Sequence, residues 1–336
     1  MDKFHNVGPA IRRKCTEIVE AIVMGGLIKK VFKLALRPFV RPALERIRLI
    51  MREEITNTIS ADGYLNLMKL AGNVVISDYK YTPKVRPSFP ASRIGKIIIE
   101  DFELNKEHIV KCINIIKKFA MSLRSIALTE RENSVRPQWI NDWIPPIDGA
   151  MLYSTLASMN PRYYIECGSG NTTKFAAAAI SDHALRTKII SIDPCPRAEI
   201  DLLCDEIFRL PFEEMDLSFF KRLTSEDVFV LDNSHRVLPN SDVTVFFTEV
   251  LPDLPPGLIY ALHDIALPDE IYSERYYSEQ YMLATYMIGG MANDKIYFPT
   301  GFLSNHTILL HELTQELQIH NLPFYNYAGF FWMVKG

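Results

Sequence analysis

From residue 162 onward the chain alternates between two hydrophobic rhythms. Short, nearly continuous apolar runs at 162–167, 188–193, 227–232, 257–263, 294–299 and 327–334 have the length and composition of buried strands. Between them, near 171–181, 198–206, 241–250 and 276–289, apolar residues recur at helical spacing. Buried strands that alternate with helices predict βαβ units: an α/β fold with a mostly parallel, doubly wound sheet covered by helices.

Residues 1–80 carry a different pattern. Stretches 11–23 and 27–55 read as helices, interrupted at Gly25-Gly26, Pro38 and Pro42. A polar connector with several prolines covers 78–97, another helix follows over 102–128, and 129–147 reads as loop. Asp148 is placed to N-cap a helix running to about Ser158. These shifts divide the chain into an N-terminal helical region with its connector, 1–140, and an α/β domain, 141–336.

Composition narrows the class. The chain is 48% hydrophobic and 23% charged, ordinary for a globular protein, with net charge -3. That balance gives no reason to expect nucleic acid as a partner. Charge is uneven, however: residues 1–60 hold twelve Lys and Arg against six Asp and Glu. The face with Lys29, Lys30, Lys33, Arg37 and Arg41 suits peripheral contact with a membrane surface, or a solvated face at a homo-oligomer interface. No apolar run reaches the roughly 18–20 residues of a membrane span, and no secretory signal is evident. Five cysteines without a C-x-x-C pair fit a reducing, cytoplasmic setting.

The chemistry gathers at strand ends. The first strand runs into Glu166-Cys167-Gly168-Ser169-Gly170-Asn171 and a helix start; the second ends at Asp193. A glycine turn lets backbone approach a ligand, a helix start offers amides, and an acid at the next strand end reaches ribose hydroxyls. Glu166, Gly168, Ser169, Gly170, Asn171 and Asp193 are therefore candidate nucleoside-binding residues. A dinucleotide motif wants a third small residue where this chain has Thr173. Glu166 also suits a cationic sulfonium better than a pyrophosphate; its other reading is to orient the glycine loop.

Two more apolar strands end in polar clusters, Asp232-Asn233-Ser234-His235 and His263-Asp264. Buried charges need partners, so both clusters are expected at the ligand crevice. His235 suits a general base near neutral pH, or else bonds its own loop. His306, His311 and His320 show no ligand spacing. The aromatic stretch 272–286 either lines an acceptor pocket, with Arg275 and Glu279 bonding hydroxyls, or packs its aromatics on the sheet.

Together these segments resemble class I S-adenosylmethionine (SAM)-dependent methyltransferases of the branch labelled methyltransferase domain 24. The resemblance covers about 143–335 and rests on Asp148-Gly149-Ala150, Ile165 through Gly170, Ser191 through Pro194, Asp232 through His235, His263 through Ile265, and Gly329 through Val334. It implies a Rossmann-like, seven-stranded sheet with an antiparallel last strand and SAM as cofactor. It also implies a methyltransferase acting on a hydroxyl of a small molecule or glycan, as in polysaccharide modification. Metal-dependent relatives hold magnesium at the fourth and fifth strand ends, which here gives Asp232, Asp264 and His263. His235, Asp232 and Asp264 are the implied catalytic group, with His235 taking the proton. Two other classes stay open: a nicotinamide-dependent oxidoreductase, and a non-catalytic scaffold recruiting a membrane or partner through its N-terminal helices.

Overall fold

The computed structural model describes residues 92–131, 134–196, 199–270, 277–319, 322 and 329–336. The helices expected over 1–80, with their basic face, lie outside these residues. All the described residues belong to one compact unit, Val85–Gly336.

Among the described residues seven strands form one sheet: β1 (Tyr163–Cys167), β2 (Lys188–Ile192), β3 (Glu206–Phe208), β4 (Val228–Leu231), β5 (Ile259–Leu262), β6 (Lys295–Pro299) and β7 (Phe331–Val334). Their order is β3-β2-β1-β4-β5-β7-β6. β7 runs antiparallel to β5 and β6, and the β1–β5 pairs are parallel. The expected mostly parallel, seven-stranded sheet with its antiparallel last strand is thus observed. β4 and β5 (VFVL and IYAL) are buried at every position, which explains their lack of apolar–polar alternation.

Around the sheet lie α1 (Arg93–Lys118), α2 (Ala120–Ser125), α3 (Pro146–Met159), α4 (Asn171–Asp182), α5 (Asp242–Val245), α6 (Glu279–Ile288), α7 (Thr300–His306) and α8 (Leu309–Leu317). α1 packs on α3, α6 and β6 and contributes Ile98, Ile109, Ile113 and Ile116 to the core. Its start is capped by the Ser92 side chain, which accepts from Gly95 N, so helix replaces the expected connector from residue 93. Among the described residues no helix is long and apolar enough to cross a membrane, and Cys112, Cys167, Cys195 and Cys204 are free.

Three further expectations change. The helix expected over 198–206 is a single 3₁₀ turn, Asp201–Leu203, leading into β3, a strand too short to leave a periodic signature. The helix from α5 widens into π turns over Phe246–Val250 and ends in a 3₁₀ turn at Pro252. α3 begins at Pro146, a residue suited to a first turn, so Asp148 lies inside the helix rather than capping it. That frees the buried Asp148 carboxylate to accept from Gly329 N (2.7 Å), Phe330 N (3.2 Å) and Thr300 Oγ1 (2.6 Å). It thereby ties α3 to the starts of β7 and α7 beside the sheet's functional edge.

Candidate active site

The C-terminal ends of β1, β2, β4 and β5 share one edge, and the predicted residues meet there. Gly168 follows β1 at φ +81; a Cβ there would stand 1.8 Å from the Asp232 carbonyl oxygen. Only glycine lets the β1 loop pass this close to the end of β4. Gly168 N donates to Ile192 O (3.0 Å), and Ser169 Oγ meets Ser191 Oγ (2.7 Å). Asp193 completes the tie: Oδ2 accepts from Ser169 N and Oδ1 from Cys195 N, both at 2.7 Å. Each carboxylate oxygen retains a lone pair beyond these bonds.

Glu166 is fully buried beneath the loop. It accepts from Tyr164 Oη (2.7 Å) and from Thr173 Oγ1, and the same Thr173 oxygen accepts from Gly170 N (2.9 Å). Burial pushes the Glu166 carboxyl up to about 7, against the pull of these hydrogen bonds. Of its two readings, the loop-orienting one matches the geometry. Thr173, the residue that broke the dinucleotide pattern, is the link between Glu166 and the loop.

A cleft runs along this loop, lined by Ser169, Gly170, Asn171, Thr172, Asp232, Trp143 and Ile144. Its enclosed volume is about 50 Å³, against about 300–1,000 Å³ for small-molecule pockets. A nucleoside fits only with the Trp143 wall displaced or with much of its surface toward the open strand edge. A larger cavity of about 260 Å³ along α4, between Lys174, Asp182 and Arg136, shares no lining residue with this cleft.

Beside Asp232 stands a compact charged cluster. His235 Nε2 lies 3.2 Å from Asp232 Oδ1 and 3.5 Å from Asp264 Oδ2, and its Nδ1 lies 3.0 Å from Glu279 Oε2. His263 Nδ1 is 3.3 Å from Asp232 Oδ1 and 3.8 Å from Asp264 Oδ1, with Nε2 3.7 Å from Asp148 Oδ2. His235 and Asp264 have φ of +59 and +55. Such conformations in non-glycine residues cost on the order of 1 kcal/mol or more and concentrate at functional sites.

Burial alone would lower the His235 pKa, but its contacts with Asp232 and Glu279 outweigh that and raise it to about 10. Burial likewise opposes the charge on Asp232, yet the two imidazoles hold it well below the usual carboxylate range. These contacts favour the charged ring over the free base expected at His235. Four carboxyl groups (Asp148, Asp232, Asp264 and Glu279) surround the two imidazoles.

Asp232, His235 and Asp264 each bring one donor atom within 4.8 Å of the others, close enough for one cation. His235 takes the place in this set expected for His263. The His263 ring packs edge-on to Phe330, and its Nε2 is buried with no hydrogen-bond partner among the described residues. Glu279 does not line an acceptor pocket: it is buried against His235. Arg275 lies outside the described residues. Asp148 and Glu279 were missed as members of the cluster because they come from α3 and α6, distant in sequence; only an acid within an otherwise apolar helix signals them.

Residues 165–265 match a family model described as a methyltransferase domain, a span that holds the glycine loop, Asp193 and both polar strand ends. No curated protein matches the sequence. Among solved structures, the chain is similar to the O-methyltransferase TomG from Streptomyces achromogenes, involved in tomaymycin synthesis and solved in complex with SAM. That match has 12% identity and a TM-score of 0.36, and covers 73% of this chain and 99% of that chain.

Proposed function

We propose that this chain is a class I SAM-dependent methyltransferase that delivers its methyl group to a hydroxyl oxygen of a small molecule or glycan. The observation that carries the reading is adjacency. The glycine loop and Asp232 line one cleft, and Asp232 is also a member of the Asp232–His235–Asp264 cluster. Donor seat and acid cluster thus share a wall.

Gly168, Ser169, Gly170 and Asn171 form the donor seat, with Glu166 and Thr173 holding the loop beneath it. The free lone pairs of Asp193 take the ribose hydroxyls. In the transfer, the acceptor oxygen forms a bond to the methyl carbon as the sulfur–carbon bond breaks, and the acceptor proton is lost. A hydroxyl must shed that proton, and gathered acids serve that need. Holding donor and acceptor in line supplies several kcal/mol of barrier reduction.

The cluster fits a divalent cation held by Asp232, His235 and Asp264. Its nitrogen donor suits Mn²⁺ or Zn²⁺ better than the Mg²⁺ implied by resemblance. When bound, such an ion supplies Lewis-acid polarisation of the acceptor hydroxyl. Asp264, less buried than His235, accepts the released proton and passes it toward solvent. A sugar hydroxyl is the favoured acceptor, on the family resemblance. Mass-spectrometric screening with SAM and candidate glycans, with and without EDTA, tests the reading. A methylated hydroxyl lost on chelation is expected, and methylation of nitrogen alone would overturn it.

A further inference from the structure

Glu279 has no part in the transfer just described, yet it is among the most deeply buried acids beside it, with its side chain 1% exposed. It is the first residue of α6. Its Oε2 meets His235 Nδ1 at 3.0 Å, and its Oε1 accepts from Asn233 Nδ2 at 3.2 Å. Asn233 Oδ1 in turn accepts from His235 N at 2.8 Å. Backbone bonds join the same segments. Ser278 N and Glu279 N donate to His235 O at 2.7 and 3.1 Å, and Val237 N donates to Ser278 Oγ at 2.8 Å.

This lattice holds His235 in its left-handed conformation, which an isolated loop would not keep. It also explains a buried acid that would otherwise be costly. Both Glu279 oxygens face donors, an arrangement that a carboxylate satisfies and an amide, with one oxygen, does not.

We propose that Glu279 is the positioning residue of this site: it binds Nδ1, fixes the ring plane of His235, and leaves Nε2 as the nitrogen presented to Asp232 and Asp264. The inference deepens the proposed function and rests on it in giving His235 a cation to hold. A carboxylate on the far nitrogen of a ligating imidazole sets its orientation and basicity, and its loss costs about 10–100-fold in metal affinity. The bonding pattern also permits a reciprocal repair. Glu279→Gln sets a donor against a donor, and adding Asn233→Asp gives every donor an acceptor again.

The test uses the full chain, with Mn²⁺ as the calorimetric probe and long-range ¹H–¹⁵N spectra of the His235 ring as a second readout. Glu279→Ala and Glu279→Gln should each weaken Mn²⁺ binding about 10–100-fold and leave SAM affinity within about threefold. Their His235 ring signals should broaden or average. Adding Asn233→Asp to Glu279→Gln should recover most of the loss, which a merely structural role does not predict. Wild-type-like Mn²⁺ affinity and ring signals in Glu279→Ala would overturn the inference while leaving the cation reading standing. If the wild type binds no Mn²⁺, the cation reading falls and the ring signals alone decide. Averaging in the variant supports positioning, and an unchanged ring overturns it. Should Glu279→Ala fail to fold, the Gln variant and its repair decide between the same two outcomes.

Discussion

At the ends of β1 and β2 the contacts are made largely by backbone; at the ends of β4 and β5 they are made by charged side chains. In the first region, Asp193 is held by the amides of Ser169 and Cys195, and Gly168 lies against the Asp232 carbonyl. In the second, His235, His263, Asp232, Asp264, Glu279 and Asp148 converge within ion-pair distances. The first half is thus fixed in place mainly through main-chain amides and a close backbone approach. The second half is held by side chains of opposite kind, acids against imidazoles, and three of them lie close enough to share one cation.

If the two halves differ in this way, damage to them should differ too. Gly168→Ala forces a Cβ into the Asp232 backbone at φ +81, so urea unfolding should show a loss of about 4 kcal/mol or more. A loss under about 1 kcal/mol would deny the close approach. Glu166 should show a pH signature. Its folded pKa of about 7 exceeds its ordinary 4.5, so the folded protein binds this proton more tightly than the unfolded chain does. That contribution is whole below about pH 4.5 and is lost as pH rises through 7. Wild-type stability relative to Glu166→Gln should therefore fall by roughly 3 kcal/mol across that window. A flat difference would mean the carboxyl is not held as described.

Asp232→Ala should cut turnover about 100-fold or more while changing the SAM Kd by less than about threefold. A parallel loss of SAM binding would erase the division between the halves. Asp193→Ala should do the reverse, raising the SAM Kd about tenfold or more in calorimetry through lost charge-assisted bonds. The smallest effect is optical. Trp139 and Trp332 are buried, and Trp143 is 54% exposed on the cleft wall. SAM should therefore shift the tryptophan emission of the wild type, and Trp143→Phe should remove most of that shift.

The same contrast governs what the sequence disclosed. The glycine turn, the acid closing β2 and the apolar strands are local patterns, each carried by consecutive residues. The sheet and the meeting of the glycine loop with Asp193 were therefore legible. Asp232, His235, His263 and Asp264 were legible as strand-end residues, but their pairing was not. His263 also approaches both aspartates, but it is His235, in a left-handed backbone conformation no local pattern announces, that completes the three-residue set with them. Asp148 looked like a cap because helix starts favour aspartate, yet Pro146 starts the helix earlier and the carboxylate serves β7 and α7. β3 was hidden by its three-residue length.

If one cleft seats the donor with its sulfur toward the Asp232–His235–Asp264 cluster, a bound donor product must show it. A crystal structure with S-adenosylhomocysteine bound tests it most directly. The expected result is ribose hydroxyls on Asp193 and the thioether sulfur turned toward Asp232. A nucleoside bound away from Asp193, or a sulfur facing away from those acids, would contradict it.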